Sequence, residues 1–222
     1  MKIAIKFPSR SRPNKFFNRL DEIERHIGPV DYRVIATLDE DDASMNNASI
    51  IERMQSYKNL EWVFGPSSTK IGACNRDVEK LEGSDIVLLQ SDDMVWRREF
   101  GPTIVEAFKQ FYPDTDGVVH IPDQVAKEKL ITYNIMGKKY LDRFGYLYYP
   151  GYVSVYSDNE FTQVAKNLGR YTYLSGTEDM LIHAHPVWKL SSWDELYRKT
   201  ENKEVHKKDK ELFEGRSKNG FI

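Results

Sequence analysis

Cysteine is nearly absent from this chain. Its 222 residues include only Cys74, so no internal disulfide can form and no Cys-rich zinc site can be built. An excess of charge of one sign is also missing. Lys and Arg total 32 against 34 Asp and Glu, a formal net charge of −2. That removes the overall basic field that advertises nucleic acid and the acidic excess that advertises disorder. No apolar run is long enough to cross a bilayer, and the first residues lack the apolar stretch of a signal peptide. The expectation is a soluble, cytoplasmic protein with no membrane association and no evident obligate protein partner.

What is present is a core and an alternating pattern. Hydrophobic residues make up 40% of the chain and aromatics 13%, enough to bury one substantial domain. Lys2 to Phe7 (KIAIKF) reads as a strand that ends at Pro8. The basic loop Ser9-Arg10-Ser11-Arg12-Pro13-Asn14 follows. Phe16, Phe17, Leu20, Ile23 and Ile27 then recur at helical spacing, and Gly28-Pro29 stops that helix. Further strands are expected at 32–38, 60–64, 85–90, 117–121 and 171–174, and helices at 46–57, 72–82, 102–111 and 160–168. This alternation predicts an α/β domain with a largely parallel sheet. A tyrosine-rich stretch runs from Tyr133 to Tyr156. Such residues line ring-binding sites or fill cores, and core filling is the reading taken for most of them. From about Trp193 the chain is densely charged with mixed sign, predicting a solvated helix and a frayed tail. The division expected is one domain over 1–190 and a charged helical extension over 191–222.

The strongest chemical signal is Leu88-Leu89-Gln90-Ser91-Asp92-Asp93, a buried strand ending in two carboxylates. In open α/β sheets ligands gather at the carboxyl ends of strands. Adjacent carboxylates repel, and a hard divalent cation resolves the repulsion. Mg2+ or Mn2+ is typically held by one or two carboxylates plus substrate phosphates. As turn residues the two acids would equally cap the next segment. A second strand, YRVIATL, runs into Asp39-Glu40-Asp41-Asp42, and the first ends at Pro8-Ser9-Arg10. Three strand ends thus offer a basic loop, an acidic loop and an acid pair.

This set resembles the GT-A glycosyltransferases, especially the large inverting family of small nucleotide-sugar enzymes. There the first strand ends in Pro-Ser/Thr-x at the nucleotide, matched here by Pro8, Ser9 and Arg10. The second ends in an acid near the base or ribose, matched by Asp39 and Asp41. The sheet then reaches the DxD motif, which holds the metal and the diphosphate. Here Gln90-Ser91-Asp92-Asp93 is an Asp-Asp variant, with Gln90 or Ser91 replacing the first acid. Lys70-Ile71-Gly72-Ala73-Cys74-Asn75-Arg76-Asp77 is similar to the family's helix start, where a basic residue and an Asn approach the nucleotide; the matches are Lys70 and Asn75. Gly137 to Tyr146 resembles the segment beneath the acceptor site. Ser157-Asp158-Asn159-Glu160-Phe161 stands where the family has Glu-Asp-x-x-Phe, with Ser157 departing from the usual Glu. The resemblance spans residues 1 to about 190. It implies a GT-A fold with a mostly parallel sheet, a UDP- or GDP-linked sugar donor, and Mn2+ or Mg2+. It makes Asp158 the general base, Asp92 part of the diphosphate site and Asp93 a metal ligand. Asp158 would equally serve as a helix cap. Glu160, Glu178 and Asp179 are the reserve bases.

Leu181-Ile182-His183-Ala184-His185-Pro186 reads as a strand, so its two histidines share a face. Imidazole suits manganese, and several GT-A enzymes take a further ligand from this region. His185 is expected to be that ligand, with His183 second. A ligating imidazole must be neutral, so activity is expected to fall below the imidazole range.

The reaction expected is hexosyl or pentosyl transfer to a hydroxyl, on a glycan or a modified DNA base, with Arg10, Arg12 and Lys70 assisting at the phosphates. Two other classes stay open. A nucleotidyltransferase uses a similar scaffold, but commonly has a Gly-rich loop after the first strand, and FPSRSRPN contains no glycine. A nucleic-acid or carbohydrate-binding module would draw on Arg198, Lys199, Lys203, Lys207, Lys208 and Lys210. Neighbouring Glu201, Glu204, Asp209, Glu211 and Glu214 dilute that charge, and such a module has no need for an acid pair beside two histidines.

Overall fold

The computed structural model describes residues 1–221. Its strands are β1 (Ile3–Ser9), β2 (Tyr32–Asp39), β3 (Leu60–Gly65), β4 (Ile86–Leu89), β5 (Met94–Trp96), β6 (Val118–His120), β7 (Ile135–Gly137), β8 (Tyr171–Tyr173) and β9 (Leu181–His183). Seven of them make one sheet in the order β3-β2-β1-β4-β7-β6-β8. The first four run parallel, β7 is antiparallel to both β4 and β6, and β8 is parallel to β6. The remaining two, β5 and β9, pair antiparallel with Met94 opposite His183.

The helices are α1 (Pro13–His26), α2 (Ala48–Gln55), α3 (Lys70–Asn75), α4 (Gly101–Phe111), α5 (Lys138–Asp142), α6 (Ser157–Asn167), α7 (Glu195–Thr200) and α8 (Lys203–Lys218). They cover both faces of the sheet. Side chains alternate along a strand, so Ile3, Ile5 and Phe7 join one core with Phe16, Phe17, Leu20 and Ile23 of α1 and Ile104 and Phe108 of α4. Ala4, Val87 and Leu89 join the other, with Cys74, Tyr140, Leu141, Phe161 and Ala165. Each fully buried Phe or Ile contributes about 1.5–3 kcal/mol of transfer free energy. Tyr133, Tyr140 and Tyr152 are buried, so these tyrosines do fill the interior.

Several boundaries differ from the sequence reading. β1 does not stop at Pro8 but runs to Ser9, because β4 pairs with it only as far as Lys6. Beyond that point one side of β1 has no neighbour, and a residue without an N–H is tolerated. The helix expected over 72–82 breaks at Arg76, whose backbone is extended, and Asp77, which has φ +63. Both side chains are drawn to β2: Arg76 bonds the Leu38 carbonyl and Asp39, and Asp77 accepts from Thr37. The expected frayed tail is a docked helix. Asp209 of α8 is fully buried, and its carboxylate accepts the N–H groups of Val153, Ser154 and Val155 at 3.0, 2.8 and 2.9 Å.

Candidate active site at the carboxyl edge of the sheet

Parallel pairing puts the ends of β1, β2 and β4 on one edge, and side chains there bond across strands. Ser9 Oγ donates to Asp92 at 2.9 Å, and Arg10 Nη1 donates to Asp39 at 2.7 Å and to Asp41 at 2.6 Å. Asp39 also accepts from Arg76 at 3.0 Å. Pro8 is opposite Thr37 in the ladder. The structure therefore brings Pro8, Ser9, Arg10, Asp39, Asp41, Asp92 and Asp93 to one edge. Asn75 has a different job. Its amide oxygen accepts the N–H groups of Leu147 and Tyr148, both at 3.0 Å, and its nitrogen donates to the Tyr148 carbonyl at 2.7 Å. Both ends of the amide are taken up in clasping that loop.

The two acids of the pair differ. Burial pushes the Asp92 carboxyl up to about 7, against the pull of Arg12, 3.7 Å away, and the Ser9 hydroxyl. Asp93 is buried as well, yet it is held well below the usual carboxylate range because His183, Lys70 and Ser91 outweigh that burial. Ser91 and Tyr197 both donate hydroxyl hydrogen bonds to it, the latter at 2.8 Å.

The histidines part company. The β5–β9 pairing delivers His183 to the acid pair, with Nε2 3.6 Å from Asp93 and Nδ1 3.3 Å from Asp123. Burial works to lower its pKa, but the two carboxylates win and raise it to about 9. His185 lies past the end of β9. Its Nδ1 accepts from the Val187 N–H at 3.2 Å, and its Nε2 is 3.2 Å from Glu201. His183, and not His185, faces Asp93.

Asp123 and Gln124 escaped the sequence reading. Asp123 is fully buried and accepts from Val125 N–H at 2.8 Å and the Thr132 hydroxyl at 2.8 Å. Gln124 brackets the His183 backbone, accepting its N–H at 3.0 Å and donating to its carbonyl at 3.4 Å. Neither stands in a recognisable motif; only the bridge between Asp123 and Leu181 brings them beside β9.

Asp158 lies in the first turn of α6, where its carboxylate accepts the Asn159 N–H at 2.9 Å. Burial raises its pKa, opposed by Lys70 and His183, which places it within electrostatic reach of both. Lys70 is 3.5 Å from Glu201 and also feels Asp93. Of the reserve bases, Glu160 is buried and locked to Tyr152 at 2.7 Å and to Arg216 at 2.9 Å. Asp179 pairs with Arg98 on the surface, and Glu178 accepts the Gly176 N–H.

The donor set can be tested against a divalent cation. Among the described residues no three His, Cys, Asp or Glu side chains converge to hold a metal unaided. Asp93 and His183 make a two-residue set, and magnesium or manganese sites complete such sets with substrate phosphates and water. Asp93 and Asp123 favour the protonated form of His183, and that proton must leave before the imidazole can join Asp93 as a ligand. The residues therefore fit a cation that arrives with a diphosphate.

No protein-family profile and no curated protein sequence matches this chain. Solved structures do. The mannosyltransferase PcManGT from Pyrobaculum calidifontis, in complex with GDP-Man and Mn2+, superposes with a TM-score of 0.62 at 17% identity, over 82% of this chain and 56% of that one. TarS from S. aureus superposes with a TM-score of 0.64 at 15% identity, over 86% of this chain and 38% of that one. A shorter TarS, residues 1–349 in complex with UDP, gives a TM-score of 0.64 at 14% identity, over 82% and 60%. The chain spans less than two thirds of each of these proteins. With these superpositions and a mixed sheet that is parallel through β3-β2-β1-β4, the chain has the GT-A nucleotide-sugar glycosyltransferase fold.

Proposed function

We propose that this GT-A chain is a metal-dependent glycosyltransferase that moves a sugar from a nucleoside diphosphate to an acceptor hydroxyl with inversion. The observation that carries the reading is one constellation: Asp93 past the end of β4 with His183 Nε2 of β9 3.6 Å away, and Asp158 near enough for its charge to act on Lys70 and His183. Neighbouring proteins of this fold bind GDP-Man with Mn2+ and UDP-GlcNAc, which supports a donor of that chemical class.

Asp39, Asp41 and Arg10 lie on the nucleoside side, Ser9 and Asp92 on the diphosphate side, and Asp93 with His183 would hold the cation. That cation, when bound, neutralises charge gathering on the leaving diphosphate. Arg12 and Lys70 add fixed positive charge there. Asp158 accepts the proton of the acceptor hydroxyl as its oxygen attacks the anomeric carbon. The bond from that carbon to the diphosphate oxygen breaks, and its electron pair leaves with the diphosphate. A carboxylate whose pKa is raised by burial is better matched to this proton transfer than a free one. Residues 1–190 form the transferase unit in this reading, and 191–222 close over it.

Incubation with a panel of nucleotide sugars and Mn2+ tests the proposal. Slow release of UDP or GDP, dependent on Mn2+ and lost in Asp93→Asn, is expected. A folded protein that neither binds nor hydrolyses any member of the panel would remove the reading.

A further inference from the structure

The groups that would meet a diphosphate already have partners, and one short segment supplies them. Arg12 donates through Nε and Nη2 to the two carboxylate oxygens of Asp194, both at 2.8 Å, and Lys15 is 3.6 Å from the same residue. The Arg12 guanidinium lies 3.9 Å over the Tyr197 ring. The Tyr197 hydroxyl donates to Asp93 at 2.8 Å. Glu201, which is buried to 6% side-chain exposure, is 3.2 Å from His185 and 3.5 Å from Lys70. Asp194 and Glu201 bracket α7, which is only six residues long, and Tyr197 lies within it.

We propose that residues 190–201 are an internal strap that occupies the diphosphate place of the free protein, with the Asp194 and Glu201 carboxylates standing where phosphate oxygens would stand, and that donor binding displaces it. This rests on the glycosyl-transfer reading and adds its regulation. Two carboxylates and a diphosphate ask for the same cations, Arg12, Lys15 and Lys70, so binding of one excludes the other. Tyr197 likewise holds the carboxylate oxygen, Asp93 Oδ2, that lies nearest His183.

The segment is built to leave. Of α7, Tyr197 is the residue that is buried, so little apolar surface anchors it. Leu190 and Trp193 are 49% and 41% exposed. At its start Lys189 has φ +60, a left-handed residue without the freedom of glycine, and at its end the Asn202 side-chain oxygen caps α8 while its Nδ2 donates to the Lys199 carbonyl of α7 at 3.0 Å. Once the Asn202–Lys199 bond is released, the strap can swing while α8 stays docked through Asp209. A ligand that binds only the open state has its apparent affinity reduced by the fraction of molecules that are open.

The double variant Asp194→Asn, Glu201→Gln removes the two charges and keeps their size. Asn also serves as a helix cap, so the start of α7 is retained. Calorimetry uses UDP, GDP and inorganic pyrophosphate as probes, each with Mn2+. The double variant is expected to bind them about tenfold more tightly than the parent. In the unmodified protein, Mn2+ with UDP or GDP is expected to speed amide exchange over 190–201, a measurement that decides the matter if the variant does not fold. Equal or weaker binding by the folded variant, or slower exchange over 190–201 on adding the probe, overturns the strap while leaving glycosyl transfer standing. A folded parent and variant that both ignore every probe overturn the two together.

Discussion

Asp158 and Asp93 lie near the same cations, but their surroundings prepare them for opposite states. Burial leaves Asp158 readier to take a proton, while His183 and Lys70 keep Asp93 anionic despite its burial. Asp158→Asn preserves size and the Asn159 contact but cannot accept a proton. Its turnover is expected to fall about 10²–10⁴-fold, with Mn2+-dependent UDP or GDP binding kept. Asp93→Asn should lose the Mn2+ enhancement of that binding as well as turnover. Calorimetry beside a transfer assay separates the two, and parental turnover in Asp158→Asn would put the base elsewhere. Asp123→Asn tests the residue behind His183. Outer partners of metal-bound histidine are worth about 10–100-fold in metal affinity, so Mn2+ binding in the presence of UDP or GDP is expected to weaken by that factor. Unchanged Mn2+ affinity would leave Asp123 a purely structural carboxylate. At this scale motif order pointed to residues without their contacts. Asn75 and Glu160 sit in motif-like positions, yet the 147–148 loop and Arg216 take up their polar atoms.

Elements were legible where one face alternates or repeats. α1 and α4 show their apolar stripes in sequence, and β1 and β2 their buried runs. Some short pieces were not: β5 and β7, three residues each, and α5, with five, went unread, whereas the equally short β6, β8 and β9 were expected from their apolar or aromatic runs. The charged α8 carries one fully buried residue, Asp209, among solvated neighbours, and composition hides it. That carboxylate gathers three backbone N–H groups of the loop that enters α6, just before Tyr156, which has φ +64. Asp209→Ala would strand those three N–H groups and is expected to cost about 4 kcal/mol or more, since each bond to a charged acceptor is worth about 1.5–3. Urea unfolding measures the loss. A midpoint unmoved from the parent's would show that α8 is dispensable to the Asp158 loop.

Across the whole molecule, the buried sheet sets a stability that depends on acid. His120 of β6 is fully buried, with Nδ1 2.8 Å from the Tyr171 hydroxyl. Burial, reinforced by Lys166 and opposed by Asp123, pushes its pKa down from 6.5 to about 4. The unfolded chain takes up this proton near pH 6.5 and the folded one only near 4. The contribution is whole above 6.5 and is lost as pH falls through that window, by ~3 kcal/mol at most. Asp92, raised from 3.8 to about 7, gains stability over the same window, so the test is a difference: in urea titrations His120→Gln is expected to gain stability relative to the parent as pH falls from 6.5 to 4. A His120 ring resonance that titrates at an ordinary imidazole pKa would contradict the assignment.

No helix among the described residues is long and apolar enough to cross a membrane, which agrees with the absence of any long apolar run. Alternation of apolar strands and amphipathic helices determined the α/β class, and the polar residues that interrupt each strand determined which end would carry chemistry. Those are local properties, set by periodicity and by where a buried run must stop. The tertiary structure alone decided which histidine meets Asp93. β9 pairs with β5 and ends at His183, so His185 turns toward Glu201. It alone brought Asp123 to His183, Asp209 to the loop before Asp158, and α7 onto the acid pair. The last three contacts join residues 54 or more positions apart in the chain, and such distant electrostatic partners leave no periodic trace in the sequence.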